Sequence, residues 1–387
     1  MVAAIALLLG LHAAGAGFQG DPHAVVRDAA PGSRLFDVTD RRAPVIGVTL
    51  LVWLGAFGLA MAFDRKRAGR AGARLLALSL VYLPLICLVA AAFELGVGAE
   101  RLLVMLGSPT LAAVTLAGLG GYRALAFACA ATSLAYAIDL IGGSALTQLS
   151  IVGPNPAGRH RFYGIGNELE AALVVLILVG TGAALSSLPV PGHGQSPQRQ
   201  ARGPAAFLVV AAIFTFVFAY GRYGADVGAA ISLPLGAAVA AALVADRQRL
   251  ALLAFLLPIP ALAVLSAADL VTGANAHLTK TVLDAKSGGD VLSVVGHRLS
   301  ETVSSFARPI LVAGLPIVIA AAVLAWLRRA RLAAWLTGFP AMRAGMLGAL
   351  AATLVGTLAN DSGALLLEIG GAYLLVFTGF AWAESRT

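Results

Sequence analysis

Charged side chains are scarce in this sequence of 387 residues. They make up 12% of it, whereas a soluble globular domain has about 25%. Hydrophobic residues make up 59%, and the mean hydropathy is +0.88. This composition excludes a soluble enzyme or binding module. Apolar runs of roughly 16 to 22 residues recur along the chain, close to the length of about 20 that an α-helix needs to cross a bilayer, so we predict an all-α integral membrane protein.

Cysteine and the common catalytic motifs are also scarce. Cys87 and Cys129 are the only cysteines, and both lie inside apolar runs, which excludes a disulfide framework and a metal-binding spacing. The sequence has no P-loop and no His-Glu-x-x-His, Gly-x-Ser-x-Gly or Cys-x-x-Cys motif, so we expect neither a cofactor nor a metal. The net charge of +8 is spread over short turns, so we expect no nucleic-acid partner.

The number of apolar runs predicts a single polytopic helical domain, residues 1–387, with about twelve transmembrane helices. The first run lacks the basic residues that open a signal peptide, so we interpret it as a membrane span. The predicted spans are about 2–19, 44–63, 75–96, 102–121, 124–142, 169–188, 205–221, 228–245, 250–270, 309–327, 344–359 and 363–383.

Basic residues predict the orientation, because arginine and lysine in short loops are retained in the cytoplasm. They collect at alternate turns, namely at 64–74, 123, 199–202, 247–249 and 328–343. We therefore predict that both termini are cytoplasmic, in a bacterial inner membrane. The exceptions to the rule are the pair Arg41 and Arg42 and the stretch 158–170, which contains Arg159 and Arg161. A Pro/Gly-rich cytoplasmic linker, 189–204, separates the first six spans (1–188) from the last six (205–387).

Four polar islands then fall on the extracytoplasmic face, and the first of them opens the sixth span. Arg159 and Arg161 supply charge that can hold a phosphate bidentately, with Tyr163 beside them. Asn167 and Glu168 occupy the first helical turn, where unpaired backbone N–H groups suit an anion or an acidic side chain. The alternative is a structural one, a helix cap with interfacial Arg and Tyr anchors.

Two further islands are short turns. Arg222 is flanked by glycines, and Asp226 lies four residues later, so the two can form a helical i,i+4 ion pair; alternatively, Arg222 faces the same cavity as Arg161. Asn360 and Asp361 interrupt an apolar hairpin, where both residue types favour turns. Asp361 could instead act as a base or as a ligand for a cation.

The remaining island is the extracytoplasmic loop 271–308 between spans 9 and 10. His277 and Lys280 fall three residues apart, on one face of a predicted helix. A second, amphipathic helix follows, with Arg298 beside its apolar stripe, and such a helix lies in the membrane surface. A histidine in this loop is either an interfacial residue or a group that transfers a proton near neutral pH.

Some of these residues carry a family resemblance. They are an Arg-x-x-Gly-x-x-Asn element that opens a span (Arg161, Gly164, Asn167), an arginine at the outer end of the next span (Arg222), and a His/Arg-bearing outer loop (His277, His297, Arg298). In this layout the region from about 158 to 306 resembles the O-antigen ligase and polymerase group of membrane glycosyltransferases. The resemblance implies that Arg161 and Arg222 engage the pyrophosphate of a polyisoprenoid-linked sugar donor, without a metal.

We therefore expect an enzyme with an extracytoplasmic-facing site for a polyisoprenoid phosphate or pyrophosphate substrate, acting as a glycosyltransferase in cell-envelope polysaccharide assembly. Membrane lipid and this substrate are its expected partners. The candidates for the general base are His277, Glu168 and Asp361. The candidates for substrate binding are Arg159, Arg161, Tyr163, Asn167, Arg222, Asp226, Lys280, Arg298 and Asn360.

Two other classes of protein remain open. A transporter or flippase would use membrane carboxylates as an ion path, and Glu170 and Glu368 are the main acidic residues inside the predicted spans. A non-catalytic membrane subunit of an envelope complex would use the polar islands as a docking surface instead.

Overall fold

The protein is helical wherever the structure describes it. The computed structural model describes residues 34–93, 95–154, 164–188, 197–272, 300, 302–306, 314–360 and 362–385. Within these ranges there is no β-strand, because the apolar runs are several times longer than a strand and are not interrupted by alternating polar residues.

Thirteen α-helices make up most of this described part. They are α1 Arg34–Arg42, α2 Val48–Phe63, α3 Ala68–Ala91, α4 Val97–Leu119, α5 Gly121–Ile141, α6 Asn167–Ser186, α7 Pro197–Ala219, α8 Val227–Val244, α9 Pro258–Thr272, α10 Leu315–Leu327, α11 Arg329–Trp335, α12 Pro340–Ala359 and α13 Gly363–Glu384. A π-helical turn, Ala43–Gly47, joins α1 to α2, and short 3-10 helices occur at Thr147–Leu149 and Gln248–Leu256.

The prediction of an all-α polytopic membrane protein is confirmed at the level of class. In the described residues, eight helices are long and apolar enough to cross a membrane, and shorter apolar helices cover Gly203–Ala219, Ala251–Ala267 and Leu315–Leu327. The first predicted span, 2–19, lies outside the described residues, as do 273–299 of the predicted outer loop.

The predicted span 250–270 differs from a single α-helix. The 3-10 helix Gln248–Leu256 comes first, and α9 begins only at Pro258. Proline has no N–H, and its ring clashes with the carbonyl of the residue four positions earlier, so it breaks a helix interior but is well suited to the first helical position. The break at Pro258 follows from this chemistry.

Contacts divide the chain into two compact units. Unit 1 consists of Met1–Leu169 with Val376–Thr387. In it, α3 packs against α2, α4 and α5. Cys87 and Cys129 are both buried. Tyr136 donates a hydrogen bond of 2.8 Å to the carbonyl of Pro84, and Thr132 donates one of 2.9 Å to that of Val81, which joins α5 to α3.

The C-terminal end of α13 lies beside the first turns of α3 in unit 1. Arg70 donates to the Ser385 carbonyl at 3.1 Å, and Arg74 donates to the Ala383 carbonyl at 2.8 Å. Arg74 also forms an ion pair of 2.5 Å with Glu384. One end of this unit therefore gathers arginines of the basic cluster 64–74 around the end of the last helix.

Unit 2, Glu170–Leu375, is held together by backbone contact between helices. A Cβ placed on Gly348 of α12 would lie 2.4 Å from the Gly236 carbonyl oxygen of α8, and a Cβ on Gly236 would lie 2.7 Å from that of Gly348. Likewise, a Cβ on Gly345 would lie 2.6 Å from the Leu178 carbonyl of α6. Small residues let membrane helices approach this closely, and close packing is a main source of helix association in lipid.

Candidate functional site

Arg42 binds both ends of the segment that carries the first polar island. Its Nε donates to the Ile151 carbonyl and its Nη2 to the Gly153 carbonyl, both at 2.8 Å. Its Nη1 forms an ion pair of 2.5 Å with Oε1 of Glu168, in the first turn of α6. We call these contacts the Arg42 clamp. A planar guanidinium suits this task because it holds several donors in fixed directions.

The two ends of this segment are in direct contact. A Cβ on Gly166 would lie 3.2 Å from Cα of Pro154 and 3.4 Å from the Gly153 carbonyl oxygen. Gly164 adopts a φ of 76°, a left-handed conformation that favours glycine. Pro154 and Gly164, which flank residues 155–163, therefore both lie beside the start of α6. We call residues 155–163 the arginine segment.

Arg41 makes a second set of contacts at the same end of unit 1. It donates to the Leu95 carbonyl at 2.7 Å and to Glu100 at 3.1 Å, and it forms an ion pair of 2.5 Å with Asp37. The Glu100 side chain is fully buried. Arg41 and Arg42 are thus both paired with carboxylates.

Asp139 fixes the turn that leads toward Ile151. Its Oδ2 accepts from the Thr147 backbone N–H at 2.8 Å and from the Thr147 hydroxyl at 2.6 Å, and its Oδ1 accepts from the Leu146 N–H at 3.1 Å. The side chain is completely buried. This carboxylate therefore positions the loop after α5, the same loop whose carbonyls the Arg42 clamp binds.

Unit 2 contains a separate polar network around Glu170, which is 1% exposed. The Ser232 hydroxyl and the Asn360 amide each donate to its carboxylate at 3.0 Å. Thr302 donates to the Asn360 carbonyl at 2.7 Å. A Cβ on Gly228 would lie 2.5 Å from Oε2 of Glu170, so a larger residue at 228 would displace the carboxylate from this position. Helices α6, α8 and α12 meet at this network.

A small pocket adjoins the Glu170 network. Its size suits about one water molecule. Polar atoms of Glu170, Ser232 and Thr353 share its lining with apolar side chains. A buried carboxylate beside a polar pocket can bind a proton or a small ligand, and intramembrane carboxylates usually mark function.

Asp226 caps α8. Its Oδ1 accepts from the N–H groups of Gly228 at 2.7 Å and Ala229 at 3.3 Å, and the residue is 2% exposed. Arg222 is exposed and lies in a turn that ends before the helix begins. The glycine-flanked turn occupies 221–224, so the two residues do not share a helix, as the predicted helical i,i+4 pair would require.

The cap gives a prediction for Asp226. Replacing it with alanine removes the acceptor for two N–H groups at the start of α8, and we expect a loss of about 1 to 2 kcal/mol in the free energy of unfolding. Asp226→Ser retains a capping oxygen and should recover most of this loss. Thermal unfolding in detergent measures both variants. Equal destabilisation by serine and alanine would show that the charge, rather than the cap, is what matters.

The structure describes only some of the predicted site residues. Asn167 and Glu168 lie in the first turn of α6, Arg222 in the exposed turn, Asp226 at the cap of α8, and Asn360 against Glu170. Those that lie outside the described residues are Arg159, Arg161, Tyr163, His277, Lys280, Arg298 and Asp361.

Sequence reasoning did not assign Arg42 or Ser232 to a site. Arg42 was visible only as an exception to the rule on basic loops, and Ser232 carries no signal that distinguishes it from other serines in apolar helices. Glu170 was recognised only as an acidic residue inside a span. In the described ranges, no group of three or more His, Cys, Asp or Glu residues could hold a metal ion.

No protein-family model matches the sequence, and no curated protein or solved structure matches it significantly. The fold is that of a polytopic helical membrane protein. Its polar side chains form two networks, the Arg42 clamp in unit 1 and the Glu170 network in unit 2.

Proposed function

We propose that the protein is a membrane enzyme that acts on a polyisoprenoid phosphate or pyrophosphate substrate at an extracytoplasmic-facing site, and that it transfers a glycosyl group in cell-envelope polysaccharide assembly. The observation that carries this proposal is the Arg42 clamp. It holds the described residues on both sides of the arginine segment beside the start of α6, and arginine side chains can bind a phosphate group bidentately.

The charge of this region supports an anionic ligand. Residues 154–164 include Arg159 and Arg161 and contain no acidic residue. Glu168, the next acidic residue along the chain, already forms an ion pair with Arg42. That ion pair has no net charge, so Arg159 and Arg161 give this region a net positive charge. In glycosyl transfer they would stabilise the negative charge that develops on the leaving phosphate.

The proposed topology has twelve spans with both termini in the cytoplasm of a bacterial cell. The contacts of Arg70 and Arg74 with the end of α13 support it, because they join the strongest basic cluster to the end of the last helix. Successive spans run in opposite directions, so the Arg42 clamp lies at the opposite, extracytoplasmic end of unit 1.

The general base remains one of His277, Asp361 and Glu168. Attack on the donor requires removal of a proton from the acceptor hydroxyl, and each of these side chains can accept one. Glu168 could do so only after its ion pair with Arg42 opens. This favours His277 or Asp361 for the role, with Glu168 holding the arginine segment in place.

Substitution of the arginines tests the proposal. In vesicles that contain a polyisoprenoid pyrophosphate-linked sugar, we expect Arg161→Ala and Arg222→Ala each to lower turnover by about 100-fold, because each removes a donor to the leaving group. Arg101→Ala, a change on the same predicted face outside the polar islands, is the matched control and should retain turnover. Unchanged turnover in both test variants would refute the assignment.

A second candidate function is a transporter or flippase, and the Glu170 network favours it. A carboxylate buried inside a span and held by Ser232 and Asn360 is typical of a proton path. The same vesicles distinguish the two functions. Proton-driven solute uptake that Glu170→Gln abolishes, with no effect of Arg161→Ala, would support transport over glycosyl transfer.

A further inference from the structure

Glu368 is an acidic residue inside an apolar span. It lies five residues after the first residue of α13, about 8 Å along the helix axis. Ala372 and Leu375 follow at the i+4 and i+7 positions of the same helix face. Both are exposed, Leu375 to 42%, whereas Glu368 is half-buried.

The carboxyl group of Glu368 lies directly against the backbone at the start of α10. A Cβ on Gly314 would lie 2.7 Å from Oε1 and 2.8 Å from Oε2 of this carboxyl. Oε1 is fully buried and has no hydrogen-bond partner among the described residues. Pro316 has no N–H, which removes one of the donors through which a helix start would hold an anion. Oε1 therefore contacts the backbone closely without a hydrogen bond in the described part of the chain.

The titratable groups near this position are few. α10, Leu315–Leu327, contains none. In α13 the other titratable residues are Tyr373 and Glu384. Arg308 and Asp361 are the nearest charged residues of the flanking segments, and both lie outside the described residues.

From this geometry we propose that Glu368 is a proton-binding site where α13 packs against the start of α10. An ionised carboxylate in an apolar environment is costly unless a cation or several donors compensate it. The described residues around Glu368 supply neither a cation nor several hydrogen-bond donors. The neutral carboxyl group needs much less stabilisation by its neighbours. This site is independent of the proposed glycosyl transfer and concerns unit 2 alone.

Dicyclohexylcarbodiimide tests the proposal, since it partitions into lipid and reacts with protonated carboxyl groups. The carboxyl O–H adds across one C=N bond: its proton goes to nitrogen and its oxygen to the central carbon. The acyl group then shifts to nitrogen, giving a stable N-acylurea with no leaving group. We expect peptide mass spectrometry of the protein in vesicles at about pH 7 to find this adduct on Glu368, although an ordinary glutamate is almost fully ionised at that pH.

Glu384 is the matched control, because it lies in the same helix and forms an ion pair with Arg74. It should stay unmodified, as should position 368 in the Glu368→Gln variant. Labelling of Glu368 should fall as the pH is raised, because the ionised form does not react. Absence of an adduct on Glu368 would overturn the proposal, and so would protection by sodium ions, which would identify a metal cation as the ligand.

Thermal unfolding of Glu368→Gln gives a second measurement. Glutamine resembles the neutral carboxyl in shape, so we expect the unfolding midpoint to stay within about 2 °C of the wild-type value. A large decrease would show that position 368 requires a negative charge, as in an ion pair, and would overturn the proposal even if the labelling were ambiguous.

Discussion

Gly348→Ala is expected to lower the free energy of unfolding by about 3 kcal/mol, at the upper end of the range for overpacked sites. The added Cβ would lie 2.4 Å from the Gly236 carbonyl oxygen and 2.9 Å from Cβ of Ala240. The first of these is a backbone atom, which cannot rotate away as a side chain can, so α8 and α12 must separate. Thermal unfolding in detergent should show a midpoint lower by about 5 °C or more.

Gly379→Ala is the control for this variant. Gly379 also lies in a helix, α13, but a Cβ there would meet nothing within 4 Å. The substitution adds the same atom and the same gain in helix propensity, so stability should be unchanged or slightly higher. If the two variants behaved alike, close approach of α8 and α12 would not be what holds unit 2 together.

Arg42→Ala is expected to have the next largest effect, a loss of about 2 to 4 kcal/mol. The change leaves the carbonyls of Ile151 and Gly153 without this donor and Glu168 without its counter-ion, and unpaired polar groups cost more than the pairs themselves contribute. Because the arginine segment loses its anchor, trypsin should also cleave faster after Arg159 and Arg161, through local opening.

Lysine at position 42 separates charge from geometry. Arg42→Lys keeps the positive charge but loses the planar guanidinium group with its several donors. Its stability and trypsin cleavage rate should therefore fall between those of the wild type and the alanine variant. Arg329→Ala is the control, because Arg329 is exposed and lies over the Trp326 ring at 4.6 Å; it should change stability by less than about 0.5 kcal/mol. An unchanged cleavage rate in Arg42→Ala would show that the clamp does not hold the arginine segment.

The helices could be predicted because their signal is local. A run of about 20 apolar residues identifies a span wherever it occurs, and Asn167, predicted in the first turn of the sixth span, is the first residue of α6. The break at Pro258 was missed because the prediction relied on hydropathy, to which proline in an apolar run contributes little. The conformational effect of that proline would have indicated the break.

The polar contacts could not be predicted, because each joins residues far apart in sequence. Glu168 and Glu170 lie two positions apart in α6, yet the first pairs with Arg42 and the second with Ser232 and Asn360. A helical period of 3.6 residues directs side chains two positions apart to different sides of the helix. Their partners depend on which helices pack there.

By itself, the sequence determined that this is an all-α membrane protein, where most of its helices lie, and which segments are polar. These follow from hydrophobic length and from the need of every backbone group in lipid for an internal hydrogen bond. Only the tertiary structure decided that Arg42 holds the ends of the arginine segment, that Asp226 caps a helix, and that Glu368 lies against Gly314. These contacts depend on how the helices pack. Packing brings together residues that are far apart in sequence, as in the close backbone contact of Gly236 with Gly348, and no local sequence pattern predicts it.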